Sequence, residues 1–152
     1  MTKKNYIANS SCKAFRQKRK IVNLMMLLKR VPQQLLFDLK KARTSLKWLK
    51  RNIEEIRKLG TEEREAMVNN DLDSADEISK QIDNILSKIY RKGIEIRDND
   101  LTLIDFPALI NGMPAYLCWK YGEEDVLFWH YLEDGFAGRR PITGKDEIMS
   151  PL

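Results

Sequence analysis

Histidine and cysteine are nearly missing from this chain: there is one of the first, His130, and two of the second, Cys12 and Cys118. Two cysteines so far apart, in such dissimilar settings, exclude a disulfide framework and suit a reducing, cytoplasmic environment. Neither a CxxC nor an HxxxH pattern is present, which removes the common zinc-ribbon and zinc-finger arrangements. Long apolar runs are lacking too. The densest, Ile21-Val22-Asn23-Leu24-Met25-Met26-Leu27-Leu28, is far too short to span a bilayer. It ends in Lys29-Arg30 with no small-residue cleavage site, so it reads neither as a membrane span nor as a signal peptide.

Acid is what the N-terminal third lacks. Residues 1–50 carry fourteen Lys and Arg against Asp38 alone, a charge of +13, whereas the remainder holds 13 basic and 21 acidic residues, a charge of −8. An asymmetry of this size points to an anionic partner (RNA, DNA or an acidic lipid surface) or to the chain's own acidic half.

From Pro32 onward the apolar positions Leu35, Leu39, Ala42, Leu46, Leu49, Ile53 and Ile56 alternate spacings of 4 and 3, the a/d seam of a long packed helix. Pro32 suits the first helical position, Gly60 the end, and Thr61 followed by Glu62 and Glu63 a new cap. A second seam, Ala75, Ile78, Ile82, Ile85 and Ile89, starts at the capping box opened by Ser74 and stops at Lys92-Gly93, with 61–73 as a short helical piece or loop. Each seam needs a partner and the other is nearest, which predicts an antiparallel, coiled-coil-like helical hairpin over 32–92. Ahead of it, 1–31 reads as a basic amphipathic segment.

After Gly93 the period becomes two. Gly-Ile-Glu-Ile-Arg-Asp reads as a half-buried strand, and Asn111-Gly112 as a tight turn, with Pro114 arguing for an edge position. Two aromatic strands, 116–121 and 126–132, flank Gly122-Glu123-Glu124-Asp125. Pairing Tyr121 with Val126 across that turn sets Trp119 opposite Phe128, Leu117 opposite His130 and Cys118 opposite Trp129, so Cys118 and His130 are expected on opposite faces. The fold class is therefore α+β: a long antiparallel helical hairpin followed by a small antiparallel β unit over 93–152, in one compact domain.

Several blocks of the β unit carry a resemblance. Gly93-Ile94-Glu95-Ile96-Arg97-Asp98, Leu103-Ile104-Asp105-Phe106-Pro107, Leu117-Cys118-Trp119, Trp129-His130 and Gly135-Phe136-Ala137-Gly138-Arg139-Arg140-Pro141 resemble, in order and spacing, the prokaryotic family called domain of unknown function 2203. The resemblance implies a long helical segment followed by a small β unit. It brings no activity, no cofactor and no catalytic residues.

Chemistry would have to sit in the β unit. A metal would draw on His130, Cys118, Asp105, Glu123 and Asp134, a weak set with one histidine; a structural strand histidine is the plainer reading. The GFAGRRP block offers Gly135 and Gly138 to free the backbone and Arg139 and Arg140 to grip an anion. The favoured reading is a tight corner made by Gly135 and Gly138, in which Phe136 plugs the core and Arg139 pairs with a protein acid such as Asp105 or Asp134. No nucleophile–base couple is expected, so a non-enzymatic interaction module is the leading expectation. It would bind RNA or a ribonucleoprotein through Lys13, Arg16, Lys18, Arg19 and Lys20 and through Lys40, Lys41, Arg43, Lys47 and Lys50 on the first long helix. The rival expectations are a protein-only dimeric scaffold and a small-anion or metal-binding protein using the region of His130 and GFAGRR.

Overall fold

The structure, a computed structural model, describes residues 36–150. The basic segment 1–31, with Lys13, Arg16, Lys18, Arg19 and Lys20, lies outside them, as do Pro32 and Leu35. Helix α1 runs Leu39–Val68 and α2 runs Leu72–Arg91, and together they form the antiparallel hairpin.

The helix boundaries differ from those the caps predict. Asp38 is the N-cap of α1, its side chain accepting from the Lys41 amide at 2.7 Å. At the other end α1 continues through Gly60. A helical glycine costs about 1 kcal/mol, but buried Leu59 beside it and the Lys58–Glu62 pair across it favour continuation. Thr61 bonds back to the Arg57 carbonyl instead of opening a new helix. The chain reverses at Asn69-Asn70-Asp71, where Asn70 takes the left-handed conformation at φ 58° and Asp71 caps α2 by accepting from Ser74. The hairpin connection is thus three residues, because asparagine and aspartate supply locally both the positive φ and the cap.

Five strands follow in one antiparallel sheet, ordered as in the chain: β1 Glu95–Ile96, β2 Leu103–Ile110, β3 Met113–Lys120, β4 Phe128–Tyr131 and β5 Arg140–Pro141. Asn111 and Gly112, at φ 54° and 75°, make the expected two-residue turn between β2 and β3. Pro107 and Pro114 both lie in interior strands, yet β1 pairs only with 104–105 of β2 and β4 only with 115–118 of β3. Each proline therefore sits beyond the reach of one neighbour, where its missing N–H breaks no ladder.

One face of the sheet, with Ile104, Phe106, Ala108, Leu117, Trp119 and Trp129, packs on Leu46, Leu49, Ile53 and Ile89 of the helices in a continuous core. Phe37 seals it by meeting the Phe106 ring edge-on at 5.2 Å and donating its amide to the Pro107 carbonyl.

The aromatic hairpin takes a different register from the expected one. Cys118 faces Phe128, Leu117 faces Trp129 and Tyr116 faces His130. The cause is the connection. Tyr121 donates its amide to Thr102, extending the β2–β3 ladder, while Glu123 accepts from the Lys120 amide and from the Trp119 indole, by carboxylate and carbonyl respectively. The chain spends 121–127 on this loop before β4 begins at Phe128. A one-residue slip exchanges the faces of a strand, and here it brings Cys118 and His130 to the same side.

Candidate metal centre on the outer face of the sheet

The face turned away from the helices carries a row across all five strands: Glu95, Asp105, Cys118, Phe128 and Pro141. His130 lies diagonal to Cys118, opposite Tyr116. Polar groups on a sheet face usually look into water, but Glu95, Asp105 and His130 are all below 5% exposed. Buried charges persist only when paired and hydrogen-bonded, and these are. Arg97, which continues from β1, reaches Asp105 Oδ2 at 2.6 Å through Nε and Glu95 Oε2 at 3.0 Å through a terminal nitrogen. Its guanidinium lies over the Tyr116 ring at 4.4 Å, and the Tyr116 hydroxyl donates to Glu95 Oε1 at 3.3 Å.

His130 closes the network. Its Nδ1 is 2.8 Å from the Tyr131 carbonyl, which can only accept, so Nδ1 carries a proton. Its Nε2 is 3.2 Å from both oxygens of Asp105. Burial by itself would lower the His130 pKa, but the Asp105 carboxylate outweighs it and holds the value raised. Burial likewise opposes ionisation of Asp105, and His130 and Arg97 overcome it to keep that carboxyl below the usual range. Burial lowers and Glu95 with Asp105 raises the Arg97 value, the carboxylates prevailing. For Cys118, burial and the Asp105 charge act together, pushing the thiol up to about 12.

The Cys118 sulfur, an Asp105 oxygen and a His130 nitrogen lie within 4.8 Å of one another, all three residues buried. Tetrahedral zinc with bonds of 2.0–2.3 Å separates its ligands by about 3.5 Å, so modest side-chain adjustment closes the triangle on an ion. The outer partners such a site needs are in place. A metal-bound imidazole typically donates its other N–H to a carbonyl or carboxylate, as Nδ1 does here to Tyr131. A ligating carboxylate is held by its second oxygen, as Arg97 holds Oδ2 of Asp105.

Of the five residues the sequence offers as metal ligands, the structure brings together Asp105, Cys118 and His130 and assigns the other two elsewhere. Glu123 receives Arg139 at 2.7 and 2.8 Å, and Asp134 receives Arg140 at 3.3 Å. The GFAGRRP block spends its groups on the chain itself. Gly135 sits at φ 60° and ψ −165°, a region open essentially to glycine, and a Cβ on Gly138 would lie 2.3 Å from Asp134 Cβ. The amides of Gly138 and Arg139 bond back to Gly135 and Phe136, within the 3-10 turn at Phe136–Gly138, and not outward toward an anion.

Among the helix residues expected to grip RNA, Arg43 pairs with Asp125 at 2.9 Å and donates to the Val126 carbonyl. Lys50 donates to the Glu123 and Glu124 carbonyls, and Lys41 reaches back to the Leu36 carbonyl. Lys40 and Lys47 are exposed on α1.

Sequence reasoning missed Glu95, Arg97 and Tyr116. The signal for the first two was the Glu-Ile-Arg alternation, which puts both on the face that opposes buried Ile94 and Ile96.

A family model described as "Uncharacterized conserved protein (DUF2203)" matches residues 32–142. No curated protein and no solved structure matches the chain.

Proposed function

We propose that this chain, which belongs to the DUF2203 family, binds one transition-metal ion of the zinc class through Asp105, Cys118 and His130. The observation that carries the reading is the convergence of a thiol, an imidazole and a carboxylate within 4.8 Å, each buried, with the outer hydrogen bonds of the imidazole and carboxylate already made. A thiolate and an imidazole select zinc or cobalt over magnesium or calcium, which prefer oxygen. The three ligands come from β2, β3 and β4, so an ion here ties the middle of the sheet together, and binding stabilises the folded state by mass action.

The test is uptake. Chelator-treated protein should bind one equivalent of Co²⁺ and develop a near-ultraviolet thiolate-to-cobalt band, retained in Cys12→Ser and lost in Cys118→Ser and in His130→Gln. Folded protein that takes up neither Co²⁺ nor Zn²⁺ at micromolar concentration ends this reading.

A second reading, of an RNA or ribonucleoprotein partner, is supported by Lys40 and Lys47, both exposed and two turns apart on one face of α1. It predicts RNA binding at low salt that weakens steeply as salt rises. An absence of binding at low salt would remove it.

A further inference from the structure

Arg139 is the one cation of GFAGRRP that is mostly buried, its side chain 12% exposed. Its terminal nitrogen is spent on Glu123, but its Nε is buried with no hydrogen-bond partner among the described residues. An unpaired buried N–H costs roughly 1–3 kcal/mol, so such a donor calls for an explanation. Its surroundings supply one. The guanidinium lies 4.2 Å over the ring of Phe128, the cross-strand partner of Cys118, and 4.9 Å from the ring of Phe136. Cys118 and Phe128 are paired across β3 and β4 on the outer face, so the guanidinium lies over the strand position next to the sulfur.

A neutral thiol is a poor acceptor, whereas a thiolate accepts strongly. We infer that Arg139 is a positioning residue of the metal centre, whose Nε–H donates to the Cys118 sulfur when that sulfur is a metal-bound thiolate. GFAGRRP is then the outer wall of the centre, with Glu123 fixing the tilt of the guanidinium and Gly138 allowing the segment to close on Asp134. The inference rests on the metal reading above and adds a residue that touches no metal. A hydrogen bond to a ligating sulfur lowers its lone-pair energy, so it strengthens the centre and moves charge-transfer absorption to shorter wavelength.

Two variants and one measurement on the unsubstituted protein test it. Arg139→Met keeps bulk without a donor, and Arg139→Lys keeps the cation for Glu123 without an Nε. Each should bind Zn²⁺ about 10–100-fold more weakly in competition with a chelating dye, and each should shift the thiolate-to-cobalt band to longer wavelength. In the unsubstituted protein, the Nε–H proton resonance assigned to Arg139, distinct from that of Arg97 on Asp105, should move downfield on Zn²⁺ addition, a readout that does not depend on how the variants fold. Unsubstituted protein that shows the cobalt band while the folded variants match it in affinity and wavelength, or while the Arg139 Nε–H stays in place, overturns the role of Arg139 and leaves the metal site standing. Unsubstituted protein without the band overturns both.

Discussion

Replacing Asp105 by Asn is the sharpest probe of the outer face, because it removes one charge and almost no volume. In the metal-free protein the Asp105 carboxylate takes Arg97 Nε at 2.6 Å and His130 Nε2 at 3.2 Å, with the Asp105 side chain 4% exposed. Breaking a buried ion pair from one side costs about 3–5 kcal/mol, since the remaining charge stays buried without its partner. Two features bring Asp105→Asn to the low end. Arg97 retains Glu95 at 3.0 Å, and His130 can shed its Nε2 proton and keep the Tyr131 bond through Nδ1. The expected loss is about 3 kcal/mol, or about 9 °C in Tm for a chain of this size. Urea unfolding with chelator present, followed by far-ultraviolet circular dichroism, measures it. Asp134→Asn is the control, since its 3.3 Å pair with Arg140 has 40% and 48% of the two side chains exposed, and such pairs contribute under about 1 kcal/mol. A loss below about 1 kcal/mol for Asp105→Asn would show that the buried face is not held by this charge.

Three further outcomes follow from the same geometry. His130, faced by Asp105, Arg97, Tyr116 and Cys118 and by the Tyr131 carbonyl, has its pKa raised in the folded state. Its contribution to metal-free stability is therefore full below the unfolded value of about 6.5 and disappears as pH rises through the higher folded one. Tm should fall between pH 6 and pH 8.5 in the original protein and not in His130→Gln, and equal slopes would refute the pairing. Cys118, 1% exposed and with its thiol pushed up to about 12, should resist a disulfide reagent at pH 8 until the protein is unfolded; in a Cys12→Ser background, stoichiometric labelling of folded protein would contradict that burial. Gly138→Ala forces a Cβ to within 2.3 Å of Asp134 Cβ. It should cost about 1–3 kcal/mol by overpacking, and a neutral result in thermal melts would mean that the corner opens freely.

The architecture was legible because it depends on periodicity. The seam residues Ala42, Leu46, Leu49, Ile53 and Ile56 are buried as their 3–4 spacing demands, and the change to period two at Gly93 marks the passage from helix to sheet. Helix ends were less legible, since Gly60 is a stop signal overridden by tertiary packing of Leu59. The site was hidden by one residue of register. With apolar and aromatic side chains on both faces of 116–121 and 126–132, the pattern allows either pairing. The choice is made by a non-local bond, the Tyr121 amide to the Thr102 carbonyl, which no local pattern encodes. That single slip separates a protein in which Cys118 and His130 cannot meet from one in which they converge with Asp105 on one face.

The charge asymmetry is also partly resolved inside the fold, and at the same loop. Arg43 of α1 pairs with Asp125, and Lys50 caps the carbonyls of Glu123 and Glu124. Basic residues of the N-terminal third thus hold the very segment that sets the register of β4. Glu123 joins the two sides: its carbonyl receives Lys50 and the Trp119 indole, while its carboxylate receives the Lys120 amide and Arg139. Burial opposes ionisation of that carboxyl, and Arg139 with the Lys120 amide outweighs it to keep the value low. Part of the +13 of the first fifty residues is therefore used within the fold. Arg43 and Lys50 fix the loop that brings Cys118 to the same face as His130, whereas Lys40 and Lys47 stand exposed on α1.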